Sequence, residues 1–359
     1  MMNQPDACNF LSSLGLSVDA QQHTVIDDQT TPPLSVESCD NFISVIRYYG
    51  LLSISGPDTS KFLQGQTTCD VDLVTCSHST LGAYCTPKGR VISSFLLASK
   101  EPNEYLLRLR TSVLQSTQSV FSKYIVFSKA EQEVKSDQYV CICLAGETAK
   151  NTIQSLFNVA TSDIYQTSWL NDNFTIQLDT DGLIHECWIL ESELEQLWPR
   201  LSKGLELKGS RFWELLAISR GIGDVSEQTV DMFIPQMLNY QITGAVSFNK
   251  GCYTGQEIVA RMQYKGKLKR PMYRVKIAAN RGELVAGSNL YPTAPKFSND
   301  TTPSSIGNIV NIVNLSDGSS EALAVISSKN FDDTGVVAGE RQYPVEILPL
   351  PYAITSDGS

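Results

Sequence analysis

The residues whose types and spacing could do chemistry lie in one short segment, Asn249-Lys250-Gly251-Cys252-Tyr253-Thr254-Gly255-Gln256-Glu257. Thr254 and Glu257 have the spacing of a capping box, which predicts that a helix starts there. Cys252 would then lie just before the helix N-terminus, where unpaired backbone N–H groups favour an anion. Lys250 would add positive charge nearby. Because both effects stabilise a thiolate, the segment predicts that Cys252 is the most nucleophilic of the nine cysteines.

Two glycines border the cysteine and the predicted helix start. Gly251 and Gly255 would permit tight turns or a close approach of the backbone to a ligand. For an isolated Lys-Gly-Cys string, a half-buried structural cysteine at the start of a helix is the more usual explanation. The residues of the string alone leave both interpretations open.

The other cysteines and the histidines form no metal-binding pattern. No two cysteines have Cys-x-x-Cys spacing, and the chain has three histidines. Cys141 and Cys143 alternate in the apolar run 139–144, which predicts a strand with both thiols on one face. Buried small hydrophobes explain that pair better than a pair of ligands does. We therefore predict no metal site, and free thiols in a reducing compartment.

Composition restricts the partners and the compartment. The net charge is −10, from 28 Lys and Arg and 38 Asp and Glu. An acidic chain repels phosphates, so general nucleic-acid binding is disfavoured unless a basic patch reverses it locally. The most apolar stretches, such as 91–98, are too short to span a membrane. The first residues lack the features of a secretory signal. We expect a cytoplasmic protein without a membrane partner.

The apolar runs predict an α+β protein. The runs 91–98 and 105–109 predict adjacent antiparallel strands, and 113–124 predicts a helix with one apolar side. Asp58, after Gly56-Pro57, is predicted to cap an earlier helix. Further predicted elements are helices around 149–157 and 191–201 and strands near 42–46, 51–54, 174–178 and 186–190. From Arg270 onward, short β runs between turn residues predict a small β-barrel.

The whole string Lys250–Glu257 matches the motif of the YgfZ-type folate-binding proteins, which are relatives of the glycine cleavage T protein. Other blocks resemble that family too, and the resemblance runs from about Tyr48 to the C-terminus. These blocks are Phe233-Ile234-Pro235-Gln236-Met237-Leu238-Asn239, the basic run Lys265-Gly266-Lys267-Leu268-Lys269-Arg270, Gly56-Pro57-Asp58 with 62–71, and Pro87-Lys88-Gly89-Arg90.

The resemblance implies a multi-domain ring like that of the glycine cleavage T protein, with a C-terminal β-barrel and a central folate site. The implied units are a polar N-terminal arm (1–40, loosely held or a short helix), a first α+β folate-binding domain (41–135, completed by about 215–265), a second α+β domain (136–214) and the barrel domain (266–359).

The resemblance also implies a function. The family binds tetrahydrofolate or a derivative and supports iron–sulfur enzymes or cluster-assembly proteins, including enzymes that methylthiolate tRNA. Cys252, with Lys250 beside it, is implied to be essential, and Tyr49 and Trp213 to bind folate. Tyr49 stands where relatives can have tryptophan, and the spacing of Trp213 is also typical of a core aromatic on an amphipathic helix. The motif residues implied to support the site are Gly251, Tyr253, Thr254, Gly255, Gln256, Glu257 and Arg261.

One departure from the T proteins bears on catalysis. T proteins carry an aspartate at the end of a Gly-Gly-x-x-Asp-Asp-like stretch, where this chain reads Gly89-Arg90-Val91-Ile92-Ser93-Ser94-Phe95. Serine does not ionise near neutral pH and cannot replace a carboxylate base. We therefore expect a folate binder rather than an aminomethyltransferase. A one-carbon transferase that uses Cys252 as its nucleophile remains an alternative.

The basic run Lys265, Lys267, Lys269 and Arg270 is the exception to the acidic balance. Such a run is typical of a solvated linker into the barrel. It could instead bind the anionic glutamate tail of folate or an acidic partner protein. A tRNA-binding scaffold is the third possible function, although no interleaved aromatic residues support direct tRNA contact.

Overall fold

The structure, a computed structural model, describes residues 10–19, 23–26, 32–33, 35–37, 39–159, 163–279, 282–293, 303–330 and 335–354. Its α-helices include α1 (Thr59–Gln66), α2 (Thr111–Ile125), α3 (Glu147–Phe157), α4 (Glu191–Leu201), α5 (Ser210–Ser219) and α6 (Gln256–Lys265). Its strands are β1 (Leu16–Val18), β2 (Thr24–Ile26), β3 (Phe42–Ile46), β4 (Tyr49–Ser55), β5 (Thr80–Cys85), β6 (Val91–Glu101), β7 (Glu104–Arg110), β8 (Glu131–Val134), β9 (Tyr139–Ala145), β10 (Thr167–Leu170), β11 (Asn173–Gln177), β12 (Ile184–Leu190), β13 (Glu206–Lys208), β14 (Met272–Ile277), β15 (Asn289–Pro292), β16 (Gly307–Asn314), β17 (Ser320–Ile326), β18 (Val336–Ala338) and β19 (Tyr343–Leu348).

The first sheet has the strand order β5-β6-β7-β4-β8 and packs against α2. Strands β6 and β7 are antiparallel neighbours, as their apolar runs predict. Helix α2 buries Val113 and Phe121 toward this sheet, which confirms the predicted apolar side. Helix α1 begins after Asp58, but the Asp58 carboxylate does not cap it. That carboxylate instead accepts the Lys129 N–H at 2.8 Å, so a distant partner displaces the local cap.

The second sheet has the order β10-β11-β12-β9-β3-β13, with α3 and α4 on one face. Cys141 and Cys143 lie on the other face of β9, both buried, with their sulfur atoms 4.0 Å apart. The strand with both thiols on one face is therefore confirmed. Strand β3 pairs with β9 and, in parallel, with β13. Residues 42–46 thus extend the second sheet, although the expected range 41–135 groups them with the first.

Strands β14-β17-β16-β15-β18-β19 close into a barrel, as the sequence after Arg270 predicts. Val275, Ile309 and Ala324 belong to its interior core. Helix α5 packs against β3 of the second sheet and against β16 and β17 of the barrel. This helix therefore lies where the parts of the fold meet. No described helix is both long enough and apolar enough to cross a membrane.

The described part of the N-terminal arm is more ordered than its composition predicts. Residues 10–13 are helical, in agreement with the predicted short helix, but an antiparallel hairpin of β1 and β2 follows. His23 and Thr24 are buried, and the Thr24 hydroxyl donates to the Val45 carbonyl at 2.5 Å. The expectation of a loosely held arm is wrong for this hairpin, because its polar groups find partners far along the chain. Residues 1–9 lie outside the described residues.

The segment between α5 and α6 has little regular structure, but its side chains form hydrogen bonds to α6 and to the barrel. The Gln236 side-chain amide donates to the Val259 carbonyl of α6 at 2.7 Å. The Asn239 amide donates to the Met272 carbonyl of β14 at 2.8 Å. The block 233–239 therefore links the helix after the cysteine motif to the barrel.

Candidate functional site

The two aromatic residues implied to bind folate line the same internal cavity. Tyr49 is the first residue of β4, and Trp213 lies in the middle of α5. Tyr49 is 7% exposed and Trp213 is 3% exposed, so both side chains also belong to the core. For Trp213, that burial agrees with its spacing on the helix. The cavity has a volume of about 30 Å³, and its wall also includes Arg108, Glu186 and Arg220. Small-molecule sites are usually ~300–1,000 Å³, so the side chains close this cavity.

Buried charges form the polar wall of the cavity. The Arg108 guanidinium stacks on the Tyr49 ring, 4.2 Å from its centroid. Its Nε donates to Glu186 Oε1 at 3.1 Å, and its Nη1 lies 3.6 Å from Asp224 Oδ1. The Tyr49 hydroxyl donates to Asp224 Oδ2 at 2.5 Å. Each buried charge thus has an opposite charge beside it, which offsets much of its desolvation cost.

Glu186 is a buried acid with one carboxylate oxygen that accepts no hydrogen bond from the described residues. Its side chain is fully buried, and Oε1 accepts from Arg108 and from Trp188 Nε1, the latter at 2.9 Å. Oε2 has no hydrogen-bond partner among the described residues. Burial raises the pKa of Glu186, and Arg108 opposes that rise. A buried acceptor without a partner is costly, so Oε2 is a candidate ligand contact.

A second set of ion pairs continues from this network. Arg110 Nη2 donates to Glu214 Oε1 at 2.8 Å, and Arg110 Nε lies 3.8 Å from Asp224 Oδ2. His23 Nε2 lies 3.2 Å from Glu214 Oε2. Burial lowers the pKa of His23, an effect that Glu214 opposes. The network connects the N-terminal hairpin to the wall of the cavity.

The sequence reasoning missed Arg108, Glu186 and Asp224. A signal for two of them exists, because Arg108 and Glu186 lie inside the largely apolar strands β7 and β12. A charge inside an apolar strand indicates a buried partner of opposite sign. Asp224 gives no such signal, since it follows α5 in an irregular segment.

One buried group of side chains brings three potential metal-ligand atoms close together. One ligand atom each of Cys141, Cys143 and Glu186 lies within 4.8 Å of the others. Burial raises the pKa of the Cys141 thiol and raises that of Cys143 well above its usual value. Metal binding requires thiolates, which burial opposes. Burial therefore favours the neutral thiol form of both cysteines, which pack in the core.

The predicted capping box does not form. Helix α6 begins at Gln256, and its N-cap is Gly255 with φ of 87°, without a side-chain cap. The Thr254 hydroxyl instead donates to Gln66 Oε1 at 3.3 Å, and Glu257 is exposed. The positive φ of Gly255 agrees with the expected tight turn, and an added Cβ there would lie 2.5 Å from the Thr86 carbonyl oxygen. An added Cβ on Gly251 would have no neighbour within 4 Å, so crowding does not explain that glycine.

Cys252 is exposed, and the chain continues for three residues before α6 begins. The Lys250 ammonium donates to the carbonyl oxygens of Thr67 and Cys69, both at 2.7 Å. Burial lowers the pKa of Lys250 to about 8. The lysine therefore tethers the cysteine segment to the loop after α1. Of the described residues, those lining the Tyr49–Trp213 cavity do not include Cys252.

No family model matches the chain. The tRNA-modifying protein YgfZ of Yersinia enterocolitica is 30% identical over 329 residues, covering 90% of this chain and 94% of the relative. The chain belongs to the YgfZ family. The tRNA-modifying protein YgfZ of Colwellia psychrerythraea is 30% identical over 250 residues, which cover 70% of this chain and 76% of that relative. The fold resembles that of the glycine cleavage system aminomethyltransferase T from Bartonella henselae, with a TM-score of 0.72, 16% identity and 98% of each chain covered.

The expected fold is therefore confirmed. It also shows the position of the two serines in the stretch where T proteins carry an aspartate. Ser93 and Ser94 lie on β6, both buried. The Ser94 hydroxyl oxygen accepts the Val225 N–H at 2.9 Å. Ser93 Oγ has no hydrogen-bond partner among the described residues. Ser94 thus helps hold the segment between α5 and α6.

Alkylation should distinguish thiols that are merely exposed from one that is unusually reactive. Cys39, Cys76 and Cys252 are exposed, while the other described cysteines are buried. Buried thiols react slowly because they are shielded and hard to ionise. We expect a mild alkylating agent, followed by peptide mapping, to label these three exposed cysteines before the buried ones. Labelling of Cys252 no faster than Cys39 and Cys76 would reduce its predicted reactivity to simple exposure.

Proposed function

We propose that this YgfZ-family protein binds tetrahydrofolate or a derivative in the Tyr49–Trp213 cavity and supports iron–sulfur enzymes, including those that modify tRNA. One observation carries the folate half of the proposal. Two aromatic side chains line the same cavity as Glu186, whose buried Oε2 accepts no hydrogen bond from the described residues. A pterin offers a flat ring to stack on the aromatics and an amino-pyrimidine edge whose N–H groups can donate to a carboxylate.

The cavity must open before it can hold a pterin. Its volume of about 30 Å³ is that of a closed site. Arg108, which stacks on Tyr49 and pairs with Glu186, occupies the place where a ring could meet both residues. Folate binding would therefore include movement of side chains around Arg108. The energetic cost of that movement favours a modest affinity, in the micromolar range, over a very tight one.

The cluster-related half of the proposal rests on Cys252. Its thiol is exposed, and its segment is held by Lys250 and the buried Tyr253. An exposed thiol on a tethered loop can reach a partner, whereas the cavity is internal. One cysteine cannot hold a cluster alone, so any contact with a cluster would use ligands from a partner. We propose that folate binding and thiol chemistry occupy two separate sites and that the protein acts in the cytoplasm.

Replacing Trp213 should test the folate site. Trp213→Ala should remove most of the fluorescence change caused by tetrahydrofolate and weaken binding by ~1–3 kcal/mol, the scale of losing an aromatic contact. Trp213→Phe keeps the core filled and should still abolish the signal. Trp198→Phe, in α4, is the matched control and should retain it. Unchanged folate affinity in a folded Trp213→Ala protein would exclude this cavity.

We expect no aminomethyltransferase activity, although the fold resembles that of an aminomethyltransferase. Ser93 and Ser94 stand at the stretch where T proteins carry an aspartate, and neither hydroxyl is a base near neutral pH. The assay supplies tetrahydrofolate and an aminomethylated carrier protein and follows methylene-tetrahydrofolate. Turnover that depends on Cys252 would favour the alternative of a one-carbon transferase.

A further inference from the structure

Helix α6, which follows the cysteine segment, is almost unpacked. In this fully described helix only Val259 is buried. Glu257, Ile258, Arg261, Tyr264 and Lys265 are all exposed. At about 100° per residue these five positions fall within a sector of roughly 120° on the opposite side from Val259. The helix therefore presents one continuous face to solvent.

That face combines apolar side chains with positive charge. Ile258 is 38% exposed and Tyr264 is 69% exposed, with Arg261 between them on the helix. The exposed Lys265, Lys267, Lys269 and Arg270 extend the face toward the barrel. On the other side, Ile258 lies against the turn at Gly89, where an added Cβ would be 2.9 Å from the Ile258 Cβ. That turn carries the exposed Lys88.

The charge of this region is opposite to that of the rest of the chain. Residues 250–270 contain six of the 28 Lys and Arg and one of the 38 Asp and Glu. None of the exposed cations of this region forms an ion pair with another described residue. We call the set Lys88, Ile258, Arg261, Tyr264, Lys265, Lys267, Lys269 and Arg270 the α6 surface.

We propose that the α6 surface docks an acidic segment of a partner protein and so brings that partner to Cys252. The proposal rests on the proposed function, because it supplies the contact through which an exposed thiol would meet its client. An apolar centre surrounded by cations matches the anatomy of a protein interface, in which tyrosine and arginine are enriched. Carboxylates on the partner would complement the charge and steer the encounter.

A protein partner fits this surface better than a nucleic acid does. Ile258 has no role in contacting a phosphate backbone, but it can be buried against an apolar side chain of a partner. A tRNA would also extend beyond the α6 surface and meet the acidic remainder of the chain, which repels phosphates. A short acidic segment covers the basic region alone. The α6 surface therefore selects a local acidic and apolar ligand.

The test measures binding of a short fluorescent peptide rich in Glu and Leu to the full-length protein, by polarisation at low and high salt. Arg261→Glu/Lys265→Glu should weaken binding at least tenfold, and Ile258→Ser or Tyr264→Ser severalfold. The matched control is Lys123→Glu/Lys203→Glu, which makes the same charge change at exposed lysines elsewhere and should bind like the parent. Circular dichroism verifies that each variant is folded.

Three results would overturn the proposal. The first is failure of the basic side chains to matter: either the peptide does not bind, or the Lys123→Glu/Lys203→Glu control weakens its binding as much as Arg261→Glu/Lys265→Glu does. The second is tighter binding of purified tRNA through the same side chains, which would make this a nucleic-acid site. The third is self-association that these variants abolish, which would make a second copy the occupant. Folate titration of Ile258→Ser and Tyr264→Ser should be unchanged, because neither side chain belongs to the motif residues or to the basic run. Failure of the parent to bind folate would affect only the proposed function.

Discussion

Replacing Cys252 by serine should abolish the ability of this protein to restore iron–sulfur enzyme activity in cells that lack it. Folding and folate binding should be unaffected, because the side chain is exposed and the change is nearly isosteric. A serine hydroxyl is neither a good nucleophile nor a soft metal ligand at neutral pH, so any thiol chemistry stops. The measurement is the activity of an iron–sulfur tRNA-modifying enzyme, with the amounts of the two proteins matched.

Cys76→Ser provides the matched control for that experiment. Cys76 is exposed like Cys252 but lies outside the motif, in the turn region before β5. This variant should restore activity fully. If Cys252→Ser restored activity as well as Cys76→Ser does, Cys252 would be a structural residue and the thiol half of the proposed function would fail.

The elements that sequence predicts correctly are those with a strong local pattern. Three examples are the strand around Cys141, the helix that buries Phe121 and the short β runs after Arg270. In each of them the local sequence indicates which side chains are buried. The local apolar pattern suffices in these cases because each element buries its apolar side chains in a neighbouring core, whatever that neighbour is. The position of each element in a sheet is less visible, as the pairing of β3 with β9 illustrates.

The predictions that failed depend on competition between local and distant partners. Thr254 has the spacing of a cap, but its hydroxyl binds Gln66, and Gly255 takes the N-cap position. Lys250 is close to Cys252 in sequence, yet its ammonium is held by the carbonyls of Thr67 and Cys69. Local spacing cannot rank such alternatives, because the competing group is brought near only by the tertiary fold.

The lining of the cavity could be predicted only in part for the same reason. Resemblance to a family supplied Tyr49 and Trp213, which the structure brings together. Arg108 and Glu186 come from different sheets, and neither has a motif. Glu186 is therefore the residue best suited to test the cavity. Its Oε1 accepts a hydrogen bond from Arg108, whereas its Oε2 has no hydrogen-bond partner among the described residues.

Glu186→Gln should weaken tetrahydrofolate binding by ~1.5–3 kcal/mol, or about 10- to 150-fold, the scale of a hydrogen bond to a charged group. The glutamine amide oxygen can still accept from Arg108 and Trp188, while its NH₂ group cannot accept from a pterin. Glu214→Gln makes the same change in a buried ion pair outside the cavity and should leave folate affinity unchanged.

The folate affinity of the parent protein should also fall as low pH protonates Glu186, and that fall should disappear in Glu186→Gln. Titration by fluorescence, with thermal unfolding of both variants, measures these effects. Equal folate affinity in the parent and Glu186→Gln would remove Glu186 from the site and leave the unpartnered Oε2 as a feature of the core.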